Sequence, residues 1–340
     1  MNVSGPSKYI NTKSRPQWSP DGKTVAVELG SRSYIVDPEK NVLHQLGNPN
    51  KWSSSPTFDP DSNSVVFSSY DTFEGTDDSG WGIYSTDLSN GKTEMIAKGG
   101  HTPLYNPNGD ELVYIGLYGE NYENRLTIVQ EDGSRSAPVV ETGSLQNEFQ
   151  FDKTGDRLLY QTYGEEKPEL RILERDWGRD RVLTDGQGGE FWDRSPQWSP
   201  DNKTVLFERH GRNLEGRRLV DLWTVDVETG KETRLPLPDA QHMDPAWSPD
   251  GSKIAFMSDM DGEGWFDLYT VDADGTNLNH AVDALGDQHA PAWSPDGKTL
   301  AYLTFDWMKP KEYQHTINFL PTPPPQDHSA AMAASERSSS

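Results

Sequence analysis

The sequence predicts an all-β fold, a seven-bladed β-propeller of four-stranded antiparallel blades, and two observations support this prediction. The motif W-S-P-D-G-K at 18–23 occurs seven times in varied form, and each copy begins with an aromatic residue: Trp18, Phe58, Tyr105, Phe151, Trp198, Trp247 and Trp293. Their spacing of roughly 40–50 residues is typical of propeller blades. Short apolar runs bounded by Gly, Pro, Asn and Asp are common and helical periodicity is scarce, which favours strands.

The sixth repeat shows the four strands of one blade. Residues 245–248 predict the inner strand A, and a tight turn follows because Pro presets φ and Gly tolerates positive φ. Strand B is predicted at 253–258, strand C at 267–272 and strand D at 279–283. Nine residues after each leading aromatic, strand B carries an apolar or aromatic residue: Val27, Phe67, Tyr114, Tyr160, Phe207, Phe256 and Tyr302. We interpret these side chains, together with the leading tryptophans, as packing between blades.

The seventh repeat lacks a strand D, and the N-terminus contains a candidate for it. Residues 316–320 predict strand C and are followed by Pro-rich sequence, whereas residues 7–12 precede the first strand A, where a strand D belongs. We expect this N-terminal strand to close the ring, which leaves no unpaired edge between the first and last blades. The predicted single domain spans 1–320, with blades at 16–50, 56–98, 103–141, 149–185, 196–236, 245–283 and 291–320 plus 7–12, and a disordered tail at 321–340.

The chain has a formal net charge of −23 and contains no cysteine. Such a surface repels phosphate backbones, so we expect no nucleic-acid partner. No apolar run approaches the roughly 20 residues of a membrane span, so we expect no membrane insertion, and we expect a monomer. Residues 1–8 lack the apolar core of a signal peptide. Two locations stay open: the cytoplasm, or the periplasm or exterior if a leader has been removed.

The W-S-P-D-G turn, the aromatic strand after it and strands such as L-Y-T-V-D at 268–272 resemble the repeats of the TolB family over roughly residues 7–320. The resemblance implies a bacterial propeller and no single function. Similar blades occur in the TolB propeller of the Tol-Pal envelope system, in prolyl-oligopeptidase-like peptidases and in oligogalacturonate lyases. The chain lacks the N-terminal α/β domain of a full TolB, and it lacks a G-x-S-x-G elbow, which argues against a peptidase. The lyases imply a His/Gln metal site, to which His242, Gln288, His289 and His101 can be matched.

Topology indicates which face of the ring binds a ligand. The A–B turns are short and uniform, whereas the B–C loops and D–A crossovers lie on the opposite face, here called the long-loop face, and vary from blade to blade. Blades five to seven combine Trp with Arg, His and Asp there, which suits a sugar that carries carboxylates. We predict ligand contacts from Trp52, Trp192, Asp193, Arg194, His210, Arg212, Arg15 and Glu148. In the alternative interpretation, Arg209, Arg212, Arg217 and Arg218 only pair with acidic neighbouring loops.

A cation site is a further hypothesis. Residues 259–262 (D-M-D-G) look like the opening of a calcium loop, but Thr270 stands where an EF-hand places its bidentate Glu. A solvated turn is therefore the favoured interpretation of this segment. We predict no certain cofactor, and a calcium or manganese site built from several blades stays open.

Three functions are compatible with these patterns. The favoured one is a non-enzymatic TolB-like scaffold that binds a protein or an acidic glycan through the long-loop face, because no complete catalytic motif is present. The second is a lyase acting on uronate-containing glycans, with His242 or His289 as the base, Arg194 stabilising the enolate, and Asp244 beside them. The third is a propeller fragment of a larger envelope or peptidase protein.

Overall fold

The computed structural model shows seven antiparallel sheets that follow one another as the blades of a ring, which confirms the predicted propeller. It describes residues 2–3, 15–40, 42–72, 79–118, 123–130, 145–163, 168–184, 186, 191–212, 218–262, 264–282, 284–306, 308 and 315–322. Within these ranges, no helix has both the length and the apolar character needed to cross a membrane.

The strands are numbered in chain order, and each blade runs from the inner strand A to the outer strand D. Blade seven includes β1 (Asn2–Val3) from the N-terminus. Blade one contains β2 (Gln17–Trp18), β3 (Val25–Leu29), β4 (Arg32–Asp37) and β5 (Val42–Gln45). Blade two contains β6 (Ser53–Phe58), β7 (Ser64–Thr72), β8 (Ser79–Asp87) and β9 (Thr93–Lys98), and the described part of blade three contains β10 (Gly100–Tyr105), β11 (Glu111–Tyr118) and β12 (Glu123–Gln130).

The remaining blades repeat the same order. Blade four contains β13 (Leu145–Phe151), β14 (Arg157–Tyr163), β15 (Pro168–Glu174) and β16 (Asp180–Thr184). Blade five contains β17 (Trp192–Trp198), β18 (Thr204–Arg212), β19 (Arg218–Asp226) and β20 (Glu232–Arg234). Blade six contains β21 (His242–Trp247), β22 (Lys253–Ser258), β23 (Asp267–Asp272) and β24 (Asn279–Val282), and blade seven adds β25 (Asp287–Trp293), β26 (Thr299–Phe305) and β27 (His315–Pro321) to β1.

Apolar clusters between successive blades hold the ring together, as the aromatic repeat predicts. Phe67, Phe207 and Phe256 of strand B are fully buried, and each belongs to a cluster shared with the preceding blade. Three of the four leading tryptophans, Trp18, Trp198 and Trp293, add a polar link to the neighbouring blade. Trp198 Nε1 donates to Gln150 O of the preceding blade at 3.2 Å. Trp293 Nε1 donates in the same way to Ala246 O at 3.2 Å. The indole therefore packs against the neighbouring sheet and satisfies its N–H there.

The ring closes between blades seven and one. Asn2 and Val3 pair antiparallel with Thr316 and His315, so an N-terminal strand completes the last blade, as predicted. The segment that we expected in this role, residues 7–12, lies outside the described residues, as do residues 323–340 of the predicted tail. Trp18 Nε1 donates to Ala292 O at 3.0 Å, which repeats the inter-blade indole contact at the closure.

The A–B turn of blade four makes an unusually close contact with blade three. Gly155 has φ +74°, its carbonyl accepts the Nδ2–H of Asn106 at 3.0 Å, and a methyl group on Gly155 would overlap the Asn106 amide. We expect Gly155→Ala to lower the free energy of unfolding by about 2 kcal/mol, through strain at positive φ and displacement of Asn106. Gly91→Ala is the matched control, since Gly91 has φ +73° and open space around it. Equal losses in urea unfolding of the two variants would contradict the contact.

Candidate functional site

The inner strands share a kink that shapes the mouth of the central channel. Three residues before the leading aromatic, five blades have a non-glycine residue with φ between 50° and 54°: Ser55, Thr102, Ser195, Asp244 and Ala290. The pairing of strand A with strand B shifts in register at the same place. Because such backbone is strained for these residue types, the surrounding structure has to hold it. In blades six and seven a carboxylate of the preceding blade accepts the kinked N–H, from Asp244 to Glu208 at 2.8 Å and from Ala290 to Asp244 at 3.0 Å.

A cavity of about 490 Å³ lies inside this ring of kinks, on the long-loop face. Its polar wall carries six ionisable side chains: Arg15, Arg194, Arg218, His210, Glu208 and Asp244. Apolar contacts come from Pro56, Pro103, Leu104, Phe149, Met243 and Met257. Three of these side chains are guanidinium groups, although the chain as a whole has a net charge of −23. The cavity therefore brings three guanidinium groups and two carboxylates together on an otherwise acidic molecule.

A chain of hydrogen bonds connects three of these groups. Arg218 Nη2 donates to His210 Nδ1 at 3.1 Å, and His210 Nε2 lies 2.6 Å from Glu208 Oε2. An arginine side chain can only donate hydrogen bonds, so His210 Nδ1 is the acceptor from Arg218. His210 Nε2 therefore carries the hydrogen, and its N–H donates to Glu208 Oε2. Burial alone would raise the pKa of Glu208, but the hydrogen bonds from His210, the Asp244 N–H and Ser195 outweigh it, and the pKa lies below its ordinary value. Glu208 is therefore a charged group that orients His210 and also holds blade six.

Arg15 crosses the channel mouth. Its Nη1 donates to Pro245 O at 2.7 Å, so a side chain of blade one contacts the inner strand of blade six. This contact fixes the position of a guanidinium inside the cavity. Arg15, Arg194, His210 and Asp244, which we predicted as site residues, thus all line one cavity.

Asp193 has a different role from the predicted ligand contact. It is completely buried, and its two carboxylate oxygens accept the Nε–H and Nη2–H of Arg209, each at 2.8 Å. Arg209 also donates to Glu232 at 2.6 Å and lies 4.6 Å from the centre of the Trp223 ring. The alternative interpretation, in which the arginines pair with acidic neighbours, therefore describes Arg209. The bidentate pair joins β17 to β18 inside blade five.

The predicted metal ligands lie outside the cavity. His242 is buried, and its Nε2 donates to Pro238 O at 2.8 Å. Gln288 Nε2 donates to Ala284 O at 2.9 Å. Each side chain thus forms a hydrogen bond with the loop that precedes its own strand. His101 Nδ1 lies 3.0 Å from Thr102 Oγ1 in blade three. His289 is buried, and neither ring nitrogen has a hydrogen-bond partner among the described residues. None of the four residues lines the cavity, and a calcium or manganese site built from them stays a prediction.

The other predicted contacts lie around the cavity or outside the described side chains. Trp52 and Trp192 occupy equivalent positions in blades two and five and are 62% and 56% exposed, so both indoles are available to a ligand. Arg212 is exposed at the end of β18 and does not line the cavity. The side chain of Glu148 lies outside the described residues.

Sequence reasoning missed Glu208. At the same position of strand B, blades two, six and seven carry Ser68, Met257 and Leu303, whereas blade five places a glutamate directly after the core residue Phe207. Blade one has a glutamate there as well, Glu28, which accepts the kinked N–H of Ser55 at 3.3 Å. A carboxylate in a strand whose neighbours are buried must have partners, and this signal was available in the sequence. Its partner Asp244 N–H comes from the next blade, which only the assembled ring shows.

Comparison with known families bears out the resemblance. Residues 116–279 match the family model of the TolB beta propeller domain. The Tol-Pal system protein TolB of Rhizorhabdus wittichii is 33% identical over 78 residues, which are 23% of this chain and 16% of that protein. An uncharacterised peptidase of Bacillus subtilis, YuxL, is 23% identical over 194 residues, 46% of this chain and 29% of the peptidase. The chain thus aligns with less than a third of the length of either relative.

Solved structures share the whole ring. An oligogalacturonate lyase in complex with manganese superposes with a TM-score of 0.68 at 16% identity, covering 91% of this chain and 88% of the lyase. A putative TolB from Agrobacterium tumefaciens gives a TM-score of 0.55 at 17% identity, covering 86% of this chain and 98% of that one. At these identities the likeness shows the fold alone. The chain therefore has the β-propeller fold, and its residues 116–279 are similar to the TolB beta propeller domain.

Proposed function

We propose that this TolB-like propeller is a binding scaffold that takes a carboxylate-bearing ligand, from a protein or an acidic glycan, into the cavity on its long-loop face. The observation that carries the proposal is the placement of Arg15, Arg194 and Arg218 around one cavity of a strongly acidic chain. Guanidinium groups pair with carboxylates through two parallel hydrogen bonds, which provides both energy and orientation. The exposed Trp52 and Trp192 offer apolar faces at the rim for a sugar ring or an apolar side chain.

The strand pairing in blade five suggests two matched variants, one at a residue that lines the cavity and one at its neighbour that does not. Arg212 and Arg218 are direct partners across β18 and β19, but only Arg218 lines the cavity. We expect Arg218→Ala to weaken binding of the ligand by about 10–100-fold, the equivalent of a charge-assisted hydrogen bond worth about 1.5–3 kcal/mol. Arg212→Ala should bind within twofold of the unmodified chain.

Calorimetric titration of the full chain can test this with three probes: a galacturonate trisaccharide, the neutral galactose trisaccharide and a short peptide rich in Asp and Glu. Binding of the acidic sugar indicates a glycan ligand, and binding of the peptide indicates a protein partner. The neutral sugar should not bind measurably. Equal affinity for the neutral and acidic sugars, or equal damage from Arg212→Ala and Arg218→Ala, would contradict the proposal.

A lyase is the second candidate, because His210 and Glu208 form a hydrogen-bonded pair in the same cavity as Arg194. In this reaction a base removes the proton α to a uronate carboxylate, the bond from the β carbon to the leaving sugar oxygen breaks, and a carbon–carbon double bond forms. The leaving oxygen takes up a proton from water and departs as a hydroxyl group. His210 Nδ1 would accept that proton after Arg218 turns from it to the substrate carboxylate. The same trisaccharide titration, followed by ultraviolet absorbance, distinguishes the two functions. A rise in absorbance that His210→Gln abolishes supports the lyase, and stable binding without a rise supports the scaffold.

A further inference from the structure

A second cluster of ionisable groups lies in blade six, away from the cavity. The carboxylates of Asp261 and Asp267 and the imidazole of His280 place one ligand atom each within 4.8 Å of one another. Asp267 begins β23, His280 lies on β24, and Asp261 follows β22 in the B–C loop. None of the three lines the cavity at the channel mouth. The cluster therefore joins a loop to two strands of a single blade.

Among the described residues, Asp267, the buried member, makes side-chain contacts with the other two members of the cluster. The Asp267 side chain is 4% exposed, its Oδ2 lies 3.2 Å from His280 Nε2, and the Asp261 carboxylate is its other neighbour. Two carboxylates that face each other repel unless a proton or a cation lies between them.

The imidazole is held in place for a ligand role. The His280 ring stacks on Tyr269 with centroids 4.5 Å apart and planes inclined by 12°, and this orientation directs Nε2 at Asp267. A metal ligand gains affinity when its ring is fixed by its surroundings before the ion binds. The contact with Tyr269 does not involve Asp261 or Asp267, and it points the imidazole nitrogen of His280 into the cluster.

The donor set and its spacing select the ion. Around a tetrahedral zinc ion with ligands at about 2.1 Å, two ligand atoms lie about 3.4 Å apart, close to the 3.2 Å between Asp267 and His280. Calcium prefers six to eight oxygen ligands and does not use imidazole, so this cluster does not suit it. Three protein ligands leave the fourth position of zinc to water.

This cluster differs from the calcium-loop hypothesis for residues 259–262. The Asp259 carboxylate accepts the backbone N–H of Gln241 at 2.8 Å and its Nε2–H at 3.0 Å, so it closes the loop before β21. Asp261 therefore reaches the cluster without Asp259. Gly262 and Gly264 of this loop have φ of +75° and +88°, a backbone conformation that residues with a side chain rarely adopt.

We propose that Asp261, Asp267 and His280 form a zinc site that fastens the B–C loop of blade six to β23 and β24. The proposal is independent of the function of the cavity. It predicts that the metal-free full chain binds one equivalent of zinc and that binding raises its unfolding temperature.

Two variants and a control test the site. Asp267→Asn keeps the shape and removes the buried charge, and His280→Phe keeps the stacking on Tyr269 and removes the nitrogen. Each should weaken zinc binding at least tenfold and abolish the rise in unfolding temperature. His44→Ala is the matched control, since His44 is an exposed histidine on strand D of blade one, and it should bind zinc like the unmodified chain.

Calorimetric titration with zinc chloride gives the affinity, and cobalt(II) in place of zinc gives a visible absorption spectrum that reports the coordination directly. Circular dichroism of the metal-free variants verifies that each is folded. The proposal is overturned if the unmodified chain shows no saturable binding, or if Asp267→Asn and His280→Phe bind zinc with unchanged affinity. It is supported if both variants fold and lose the cobalt spectrum while His44→Ala retains it.

Discussion

Replacing Asp193 with alanine is expected to lower the free energy of unfolding by about 3–5 kcal/mol, because it leaves the buried guanidinium of Arg209 without its bidentate partner. Both side chains are almost completely buried, at 0% and 3% exposure. Glu232 remains as a partner but is only partly buried, so it replaces little of the lost interaction. Urea unfolding, with the midpoint and the slope measured separately, gives the loss.

Two comparisons isolate the cause of this loss. Glu94→Ala removes a carboxylate from the exposed pair with Lys92 and should change the free energy by less than about 1 kcal/mol. The double variant Asp193→Leu with Arg209→Met removes both buried charges and should recover most of the stability, since apolar side chains of similar volume replace a buried pair well. A stable Asp193→Ala variant that binds the acidic ligand poorly would instead support the ligand role first predicted for Asp193.

The repeat predicted the ring because each blade carries its own evidence. The turn residues, the leading aromatic and the aromatic of strand B recur within single blades, and each describes a local structure that neighbouring blades must bury. Even the departures are consistent, since Ser62 and Asn202 take the glycine position of their turns and adopt φ of 62° and 61°. These features depend on contacts close in sequence, so the sequence shows them directly.

The site was less predictable because its contacts join different blades. No glycine marks the kinks at Ser55, Thr102 and Asp244. The backbone N–H of each of these residues donates to a side-chain oxygen of the preceding blade, which stabilises the kink. Arg15 reaches blade six across the channel, which no local pattern indicates. His242 Nε2 and Gln288 Nε2 each donate to a carbonyl group of the preceding loop, a contact that the sequence alone does not indicate. Polar residues near the channel mouth therefore indicate roughly where a site lies, but not which residues form it.

Acid should destabilise the propeller through His289, and this is the second large effect that we expect. Burial, with a smaller contribution from His315, lowers the pKa of His289 to about 4, whereas an unfolded histidine titrates near 6.5. Between these values the unfolded chain binds a proton that the folded chain does not, so stability falls as the pH decreases from about 6.5 to about 4. One pKa unit corresponds to about 1.4 kcal/mol, so His289 alone should cost about 3 kcal/mol over this window.

His289→Met tests this expectation, because Met243 occupies the equivalent position of blade six and the fold accommodates it there. The variant should be at least as stable as the unmodified chain at pH 7.5, since methionine does not bury two ring nitrogens without partners. Its stability should fall about 3 kcal/mol less between pH 6.5 and pH 4, whereas His44→Ala should follow the unmodified chain. Acidic residues also titrate in this pH range, but they contribute equally to the stability of both variants. Comparing the two acid profiles therefore isolates the contribution of His289. Parallel acid profiles for His289→Met and His44→Ala would mean that the folded chain protonates His289 as readily as the unfolded chain does, which requires a polar partner or water beside the ring.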